Sequence, residues 1–411
     1  MEKIISDLKK NPVYSMSLGG KELFHSNMLA WLLMSEDNQS IKQLFGIEKN
    51  EVVLNVFREH QNLDLLIVYS SEEVKKRIGD ISILDDPDSE LSTNIDLNFI
   101  IIENKYKSIP KKQQLEEYSD KLNNGKYKVF KTKLTNKNTR CYLLAPKIVL
   151  KNALGFENNE GFLKFREING ITWTPINYKD FKDKIISKNH PNEYILKDYC
   201  DMLSALDIIL DEYLRDDIDN NLVFPNAENI KLLKQIRFYD IYTKLWYGIT
   251  QKKIEEAFEN KVAFNRKDFG MTRSIGFFEW KIEYEEKLLV GVQIQGNQFR
   301  VFVEPYYKKK PKDSNKFIAS VNDNSEFKKN ICGWGSNIIN EAFSAAEIAP
   351  LNVDEYKYLK FADFKYVKRE LDSNMTIEKL ASIVSNALKM LNDENKIKGL
   401  YNDISSKIER N

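Results

Sequence analysis

Phe99-Ile100-Ile101-Ile102-Glu103-Asn104-Lys105 runs four apolar residues straight into a carboxylate and, two positions on, an ammonium. Side chains at i and i+2 of a strand share a face, so Glu103 and Lys105 would stand side by side at its exit, with Asn104 pointing the other way. An apolar run this continuous reads as a strand buried on both faces. A charge pair at its end is costly unless a metal, a partner or a substrate compensates it. Asp64 brings a third charge. It is the lone acid of Leu63-Asp64-Leu65-Leu66-Ile67-Val68-Tyr69, an expensive place for a carboxylate.

The elements that must position these charges follow from local pattern. Asn50 to His60 and Leu63 to Tyr69 read as two strands of a hairpin, with Glu59 solvated at the turn and His60 an ordinary polar turn residue. Two other acids compete for the place of Asp64. Asp88, in Asp85-Asp86-Pro87-Asp88, has the neighbours of an exposed turn, whereas a metal-binding acid is better held by a packed strand. Asp80, ahead of Ile81-Ser82-Ile83, is the runner-up. After Lys105, Pro110 suits the first turn of a helix whose inward stripe is Leu115, Tyr118 and Leu122, with Gln114 and Tyr118 four apart on one side. Gly19-Gly20 punctuates the entry to another helix, Lys21 to Met34, in which Leu23, Met28, Ala30, Trp31, Leu32 and Leu33 mark a strongly buried element. Glu22 and Ser26 share one face of it.

An Asp followed by a Glu-x-Lys on a neighbouring strand resembles the PD-(D/E)XK nuclease superfamily. Lys21 to Leu33 is similar to the first helix of one bacterial branch, and Gln114-Leu115-Glu116-Glu117-Tyr118 to its Gln-Leu-x-x-Tyr helix. Tyr178-Lys179-Asp180-Phe181, after the strand from Gly170, is similar to the family's last core strand and its sequel. The resemblance covers roughly the first half of the chain. It implies an α/β fold, a restriction-endonuclease-like mixed β-sheet flanked by helices, with the site at one sheet edge. It also implies a Mg²⁺-dependent (or Mn²⁺-dependent) endonuclease that hydrolyses DNA, for which a restriction or phage-defence role would suit. Asp64 and Glu103 would ligate the metal, the Asn104 carbonyl could add an oxygen, and Glu22 would join directly or through a water. Lys105 would orient the attacking water or offset transition-state charge, and Gln114 would position a phosphate or the lysine. Lys107, Lys111, Lys112 and Tyr118 are the expected nucleic-acid contacts. The alternative is a non-catalytic nucleic-acid-binding or protein-interaction protein on a nuclease fold, its acids kept as a structural ion-pair network.

Composition limits the rest. At 411 residues, 42% apolar and 12% aromatic, the chain can build two ordinary cores. Its formal net charge of +1 supplies no global field, so nucleic-acid binding must come from local patches. Lys105 to Arg140 is such a patch, with eleven Lys or Arg against three Asp or Glu. Cys141, Cys200 and Cys332 lie far apart in apolar settings, which argues for buried thiols in a reducing compartment. Three histidines and no Cys-x-x-Cys argue against structural zinc. With no signal-peptide core and no apolar window long enough to span a bilayer, a soluble cytoplasmic protein is expected.

Asn192 to Tyr213 reads as a long helix with Ile195, Tyr199, Met202, Leu203, Leu206 and Ile209 inward. The polar run from Arg215 to Asn221 is the best boundary, giving domains 1–215 and 216–411. The second would be α+β and would select a target, oligomerise or bind a partner protein. In it, 228–259 reads as one long or broken helix and 277–303 as a three-stranded meander with turns at Glu285-Glu286-Lys287 and Gly296-Asn297. Tyr306 to Lys312 joins aromatic and basic residues that could stack on bases. Gly333-Trp334-Gly335 reads as a tight turn, and Thr376 to Leu391 as a final helix.

Overall fold

The computed structural model describes residues 2–16, 22–35, 38–79, 81–91, 95–106, 108–109, 112–154, 165–185, 193–214, 221–258, 262–272, 275–284, 288–305, 325–361, 364–395, 397–398 and 402. Asp80, Lys107, Pro110, Lys111, the stretch from Arg215 to Asn220, Glu285 to Lys287 and Tyr306 to Lys312 lie outside them. The chain forms two units, Met1–Arg215 with Ala227–Leu245, and Asp216–Asn226 with Trp246–Asn411.

The first unit opens with helices α1 (Glu2–Lys10), α2 (Pro12–Met16), α3 (Glu22–Met34) and α4 (Gln39–Leu44). Its sheet contains β1 (Glu51–Arg58), β2 (Leu65–Ser71), β3 (Asn98–Asn104), β6 (Thr139–Ala145), β7 (Arg166–Ile168) and β8 (Ile171–Asn177), in the order β1-β2-β3-β6-β8-β7. A small hairpin, β4 (Lys128–Val129) and β5 (Thr132–Lys133), stands apart from it. Between strands run α5 (Glu72–Ile78), α6 (Lys112–Asn123) and α7 (Lys147–Leu154), and α8 (Tyr178–Ile185) and α9 (Glu193–Ile208) follow the last strand. Strands β1, β2 and β3 pair antiparallel, β3 with β6 and β6 with β8 parallel. The sheet is therefore mixed. The apolar run makes β3 central, and Phe99 through Asn104 are buried, as two covered faces require. Lys105 N donates to Leu144 O at 2.8 Å, carrying the parallel ladder one residue beyond the strand.

Three expectations need correction here. Asp64 is one residue ahead of β2, not inside a strand, because a single turn of 3₁₀-helix (His60–Asn62) closes the hairpin. Glu59, Gln61 and Asn62 all adopt left-handed backbone there, φ 53°, 53° and 67°. In α3, Leu23 and Trp31 are exposed, since a helix apolar all round can still bury only the side that meets the sheet. Ile195 is exposed on α9, while Tyr199, Met202, Leu203, Leu206 and Ile209 are buried as their spacing implies.

The second unit holds an antiparallel sheet of β9 (Arg266–Thr272), β10 (Ile275–Tyr284), β11 (Leu288–Gln295), β12 (Gln298–Pro305), β13 (Tyr358–Phe361) and β14 (Phe364–Glu370), in the order β13-β14-β12-β11-β10-β9. The expected meander is thus the middle of a larger sheet. The expected long helix is broken, as Ala227–Gln235 and Tyr239–Glu256, and its residues through Leu245 belong to the first unit. Gly333, Trp334 and Gly335 do not turn the chain; they sit inside the helix Ser325–Ser344. A Cβ on Gly335 would come within 2.9 Å of Val367, so this glycine serves close helix–sheet approach. The final helix is Ile377–Leu391, capped by the Thr376 side chain. The three cysteines are free. Among the described residues no helix is long and apolar enough to cross a membrane.

Candidate active site

β3 delivers Glu103, and the residue after the next delivers Lys105 to the same side, as the two-residue period demands. Lys105 Nζ lies 2.6 Å from Glu103 Oε1 and 3.5 Å from Asp64 Oδ2. Asp64 arrives from the mouth of the neighbouring hairpin, and its Oδ2 also accepts from the Asn104 backbone N–H at 2.8 Å. Gln114, on α6, donates through Nε2 to Glu103 Oε1 at 2.7 Å and to the Tyr118 hydroxyl at 2.8 Å. Tyr118 in turn donates to the carbonyl of Asn62, in the turn that precedes Asp64, at 2.9 Å. Glu22, at the start of α3, accepts from Ser108 N at 2.9 Å, and its charge acts on Asp64, Glu103 and Lys105.

The charges do not balance. Two carboxylates share one ammonium, Glu103 is 0% exposed and Lys105 only 7%. Burial, reinforced by the negative charge of Asp64, pushes the Glu103 carboxyl up to about 7 although Lys105 opposes the shift. Burial likewise raises Asp64, against the pull of Lys105. Burial alone would lower Lys105, but Glu103 and Asp64 outweigh it and hold the ammonium above its ordinary range. One oxygen, Glu103 Oε2, is buried with no hydrogen-bond partner among the described residues. A buried acceptor without a donor is destabilising and uncommon in native structures. Among the described residues no three His, Cys, Asp or Glu side chains are gathered in ligating geometry. The ammonium is what both carboxylates touch. Even so, an orphaned oxygen, a surplus negative charge and an all-oxygen acceptor set fit a hard divalent cation such as Mg²⁺ or Mn²⁺.

Asn104 points away from these charges into a polar network that sequence reasoning missed. Its Nδ2 donates to Ser26 Oγ at 3.2 Å, and its Oδ1 accepts from the Tyr178 hydroxyl at 2.5 Å. His25 stacks on Tyr106 (centroids 3.6 Å apart, planes at 29°), and its Nδ1 lies 3.1 Å from the Tyr199 hydroxyl. These contacts tie α3, α8 and α9 to the end of β3. The signal available in sequence was a polar residue between Glu103 and Lys105 at the end of a buried strand, together with Ser26 on the face of Glu22.

The remaining expected residues are scattered. Lys112 is exposed and pairs with Glu116 at 3.0 Å. Tyr118 is buried and its hydroxyl is committed to Asn62, so it positions Gln114 and presents no ring to a nucleic acid. Asp88 is exposed in a turn closed by its own N–H on Asp86 Oδ1 at 3.0 Å. Residues 13–201, the span that carries all these groups, match the family model of the PD-(D/E)XK nuclease superfamily. No curated protein and no solved structure matches the chain.

Proposed function

With residues 13–201 in the PD-(D/E)XK nuclease superfamily, we propose that the protein is a Mg²⁺- or Mn²⁺-dependent endonuclease that hydrolyses DNA phosphodiester bonds, in a role such as restriction or phage defence. Asp64 and Glu103 would hold the cation, the main-chain carbonyl of Asn104 would add an oxygen, and Glu22 would join directly or through a water. A divalent cation held there supplies a water acidified toward neutrality and positive charge beside the scissile phosphate. The protein's own groups do the rest. Lys105 stays protonated between the carboxylates, and its remaining donors orient the attacking water or offset charge on the phosphorus oxygens. Gln114 occupies Glu103 Oε1 and so leaves Oε2 for the cation. Tyr118 fixes Gln114 to the turn beside Asp64. The buried ties of Asn104 to Ser26 and Tyr178 hold α3 against β3, keeping Glu22 on the site's side. The second unit is left to target selection, oligomerisation or partner binding.

The observation that carries this reading is that, among the described residues, Glu103 Oε2 has no partner and the Asp64–Glu103 pair meets one ammonium. The contact of Lys105 with both acids favours a second reading, a closed ion network on a non-catalytic fold. Incubation with plasmid, linear duplex, single strands and RNA, each with Mg²⁺ or EDTA, separates the two. Metal-dependent DNA cleavage that disappears in Glu103→Ala and Lys105→Ala but persists in Asp88→Ala supports the nuclease. Binding without cutting on every substrate supports the second reading.

A further inference from the structure

The segment 121–140 contains six lysines, one arginine and no acid, in a chain whose formal net charge is +1. The fold turns it into a compact knuckle. Tyr127, Val129, Phe130 and Leu134 are buried beneath it, while Lys126, Lys128, Lys131 and Lys133 are exposed. Lys131 is paired with Glu90 at 2.5 Å, but Lys126, Lys128 and Lys133 meet no carboxylate among the described residues. Like charges gathered this closely repel one another unless an anion is shared between them.

This knuckle is fastened to the candidate site. Gln61 Nε2 donates to Lys128 O at 2.8 Å and the Lys128 N–H returns to Gln61 Oε1 at 3.4 Å, joining the β4–β5 hairpin to the turn that precedes Asp64. Asn62 in that turn is bound to Tyr118, Tyr118 to Gln114, and Gln114 to Glu103. The rings of Phe130 and Phe57 lie 5.8 Å apart, and Phe130 N donates to Pro87 O at 2.7 Å. Phe130 and Lys131 both adopt left-handed backbone, φ 52° and 58°, where hairpin turns usually place Asn or Gly. Left-handed backbone is unfavourable for such residues, so packing holds a strained turn in one shape.

We propose that the β4–β5 hairpin grips the sugar–phosphate backbone of the DNA beside the cleavage site, through Lys126, Lys128 and Lys133. This rests on the nuclease reading for the identity of the substrate. The contacts are electrostatic and carry no base readout, so they set affinity and register along the strand.

The test measures binding of a short fluorescent DNA duplex of mixed sequence in EDTA, across a salt series. It compares wild type, Lys126→Glu/Lys128→Glu/Lys133→Glu, and a control of equal charge change on exposed helix lysines, Lys3→Glu/Lys10→Glu/Lys197→Glu. The hairpin variant should raise Kd roughly tenfold or more and flatten the salt slope by about 2 to 3, one phosphate contact per lysine. The control should stay within about twofold on the same scale. Equal weakening in both variants, or none in the hairpin variant, overturns the proposal, as does tighter lysine-dependent binding of an RNA duplex of the same sequence. If wild type binds through the hairpin but never cleaves, the nuclease reading falls and the grip stands. Cleavage by the hairpin variant at wild-type rate and affinity leaves the nuclease and removes the grip.

Discussion

Glu103 and Lys105 of β3 have a counterpart in Glu279 and Lys281 of β10, the same residue types at the same spacing on a strand of the other sheet. Both pairs are completed by a second acid. Lys281 Nζ lies 2.9 Å from Glu279 Oε1 and 3.4 Å from Glu304 Oε2, much as Lys105 reaches Glu103 and Asp64. The difference is in what surrounds the glutamate. Glu279 Oε2 accepts from Gln293 Nε2 at 2.8 Å, so both of its oxygens have donors. Burial raises Glu279, but the next largest influence on it is the lowering by Lys281. For Glu103 the next largest influence is the raising by Asp64, and one oxygen has no donor among the described residues. A buried Glu-x-Lys is therefore no site in itself. Surplus negative charge and an open oxygen distinguish the group proposed to receive a cation from one already closed.

The comparison breaks most visibly in cleavage. Lys105→Ala should slow metal-dependent cleavage roughly a hundredfold or more, as for loss of a donor aimed at developing charge, whereas Lys281→Ala should leave the rate within about twofold. Equal losses in a plasmid-nicking assay would erase the distinction. Next in size is the response to metal. Mg²⁺ or Mn²⁺ at a hundredfold excess over Kd should raise the melting temperature of wild type and Glu279→Gln by about 5 to 10 °C. Glu103→Gln should show no such shift in the same thermal scan.

A smaller effect is expected from pH without metal. The folded Glu103 keeps a proton up to about 7 that the unfolded chain releases near the ordinary value of 4.5. The folded state binds more protons across that window, so stability should fall as pH rises through it. Unfolding free energies from urea titrations at the two ends should differ by about 1 to 3 kcal/mol more in wild type than in Glu103→Gln. A wild type that gains stability over this window through Glu103 would reverse the assigned sign. The smallest effect belongs to Asp88→Ala. It removes an exposed carboxylate while leaving the backbone N–H that bonds Asp86 Oδ1, and should change stability by about 0.5 kcal/mol or less, with cleavage unaltered.

Much of the first unit was legible because its signals are local. A continuous apolar run makes β3, the stripe Leu115, Tyr118 and Leu122 makes α6, and the two-residue period puts Glu103 beside Lys105. What escaped depends on contacts far apart in sequence. No propensity announces left-handed Glu59, Gln61 and Asn62, which close the hairpin so that Asp64 precedes its strand. Gly335 looks like turn punctuation until Val367 is seen against it. The stripe places Tyr118 inward but does not reveal that Asn62, 56 positions away, accepts from its hydroxyl. The closed and open glutamates have the same sequence pattern. Gln293 on one, and on the other the charge of Asp64 and the lack of a second donor among the described residues, tell them apart.

The most direct measurement is calorimetric titration of Mn²⁺ into metal-free protein just below pH 7, in buffers of different protonation enthalpy. Wild type and Glu279→Gln should bind and release protons as Glu103 surrenders its own, and Glu103→Gln should not bind. Absence of binding by wild type, or undiminished binding by Glu103→Gln, would contradict a cation site at Asp64 and Glu103.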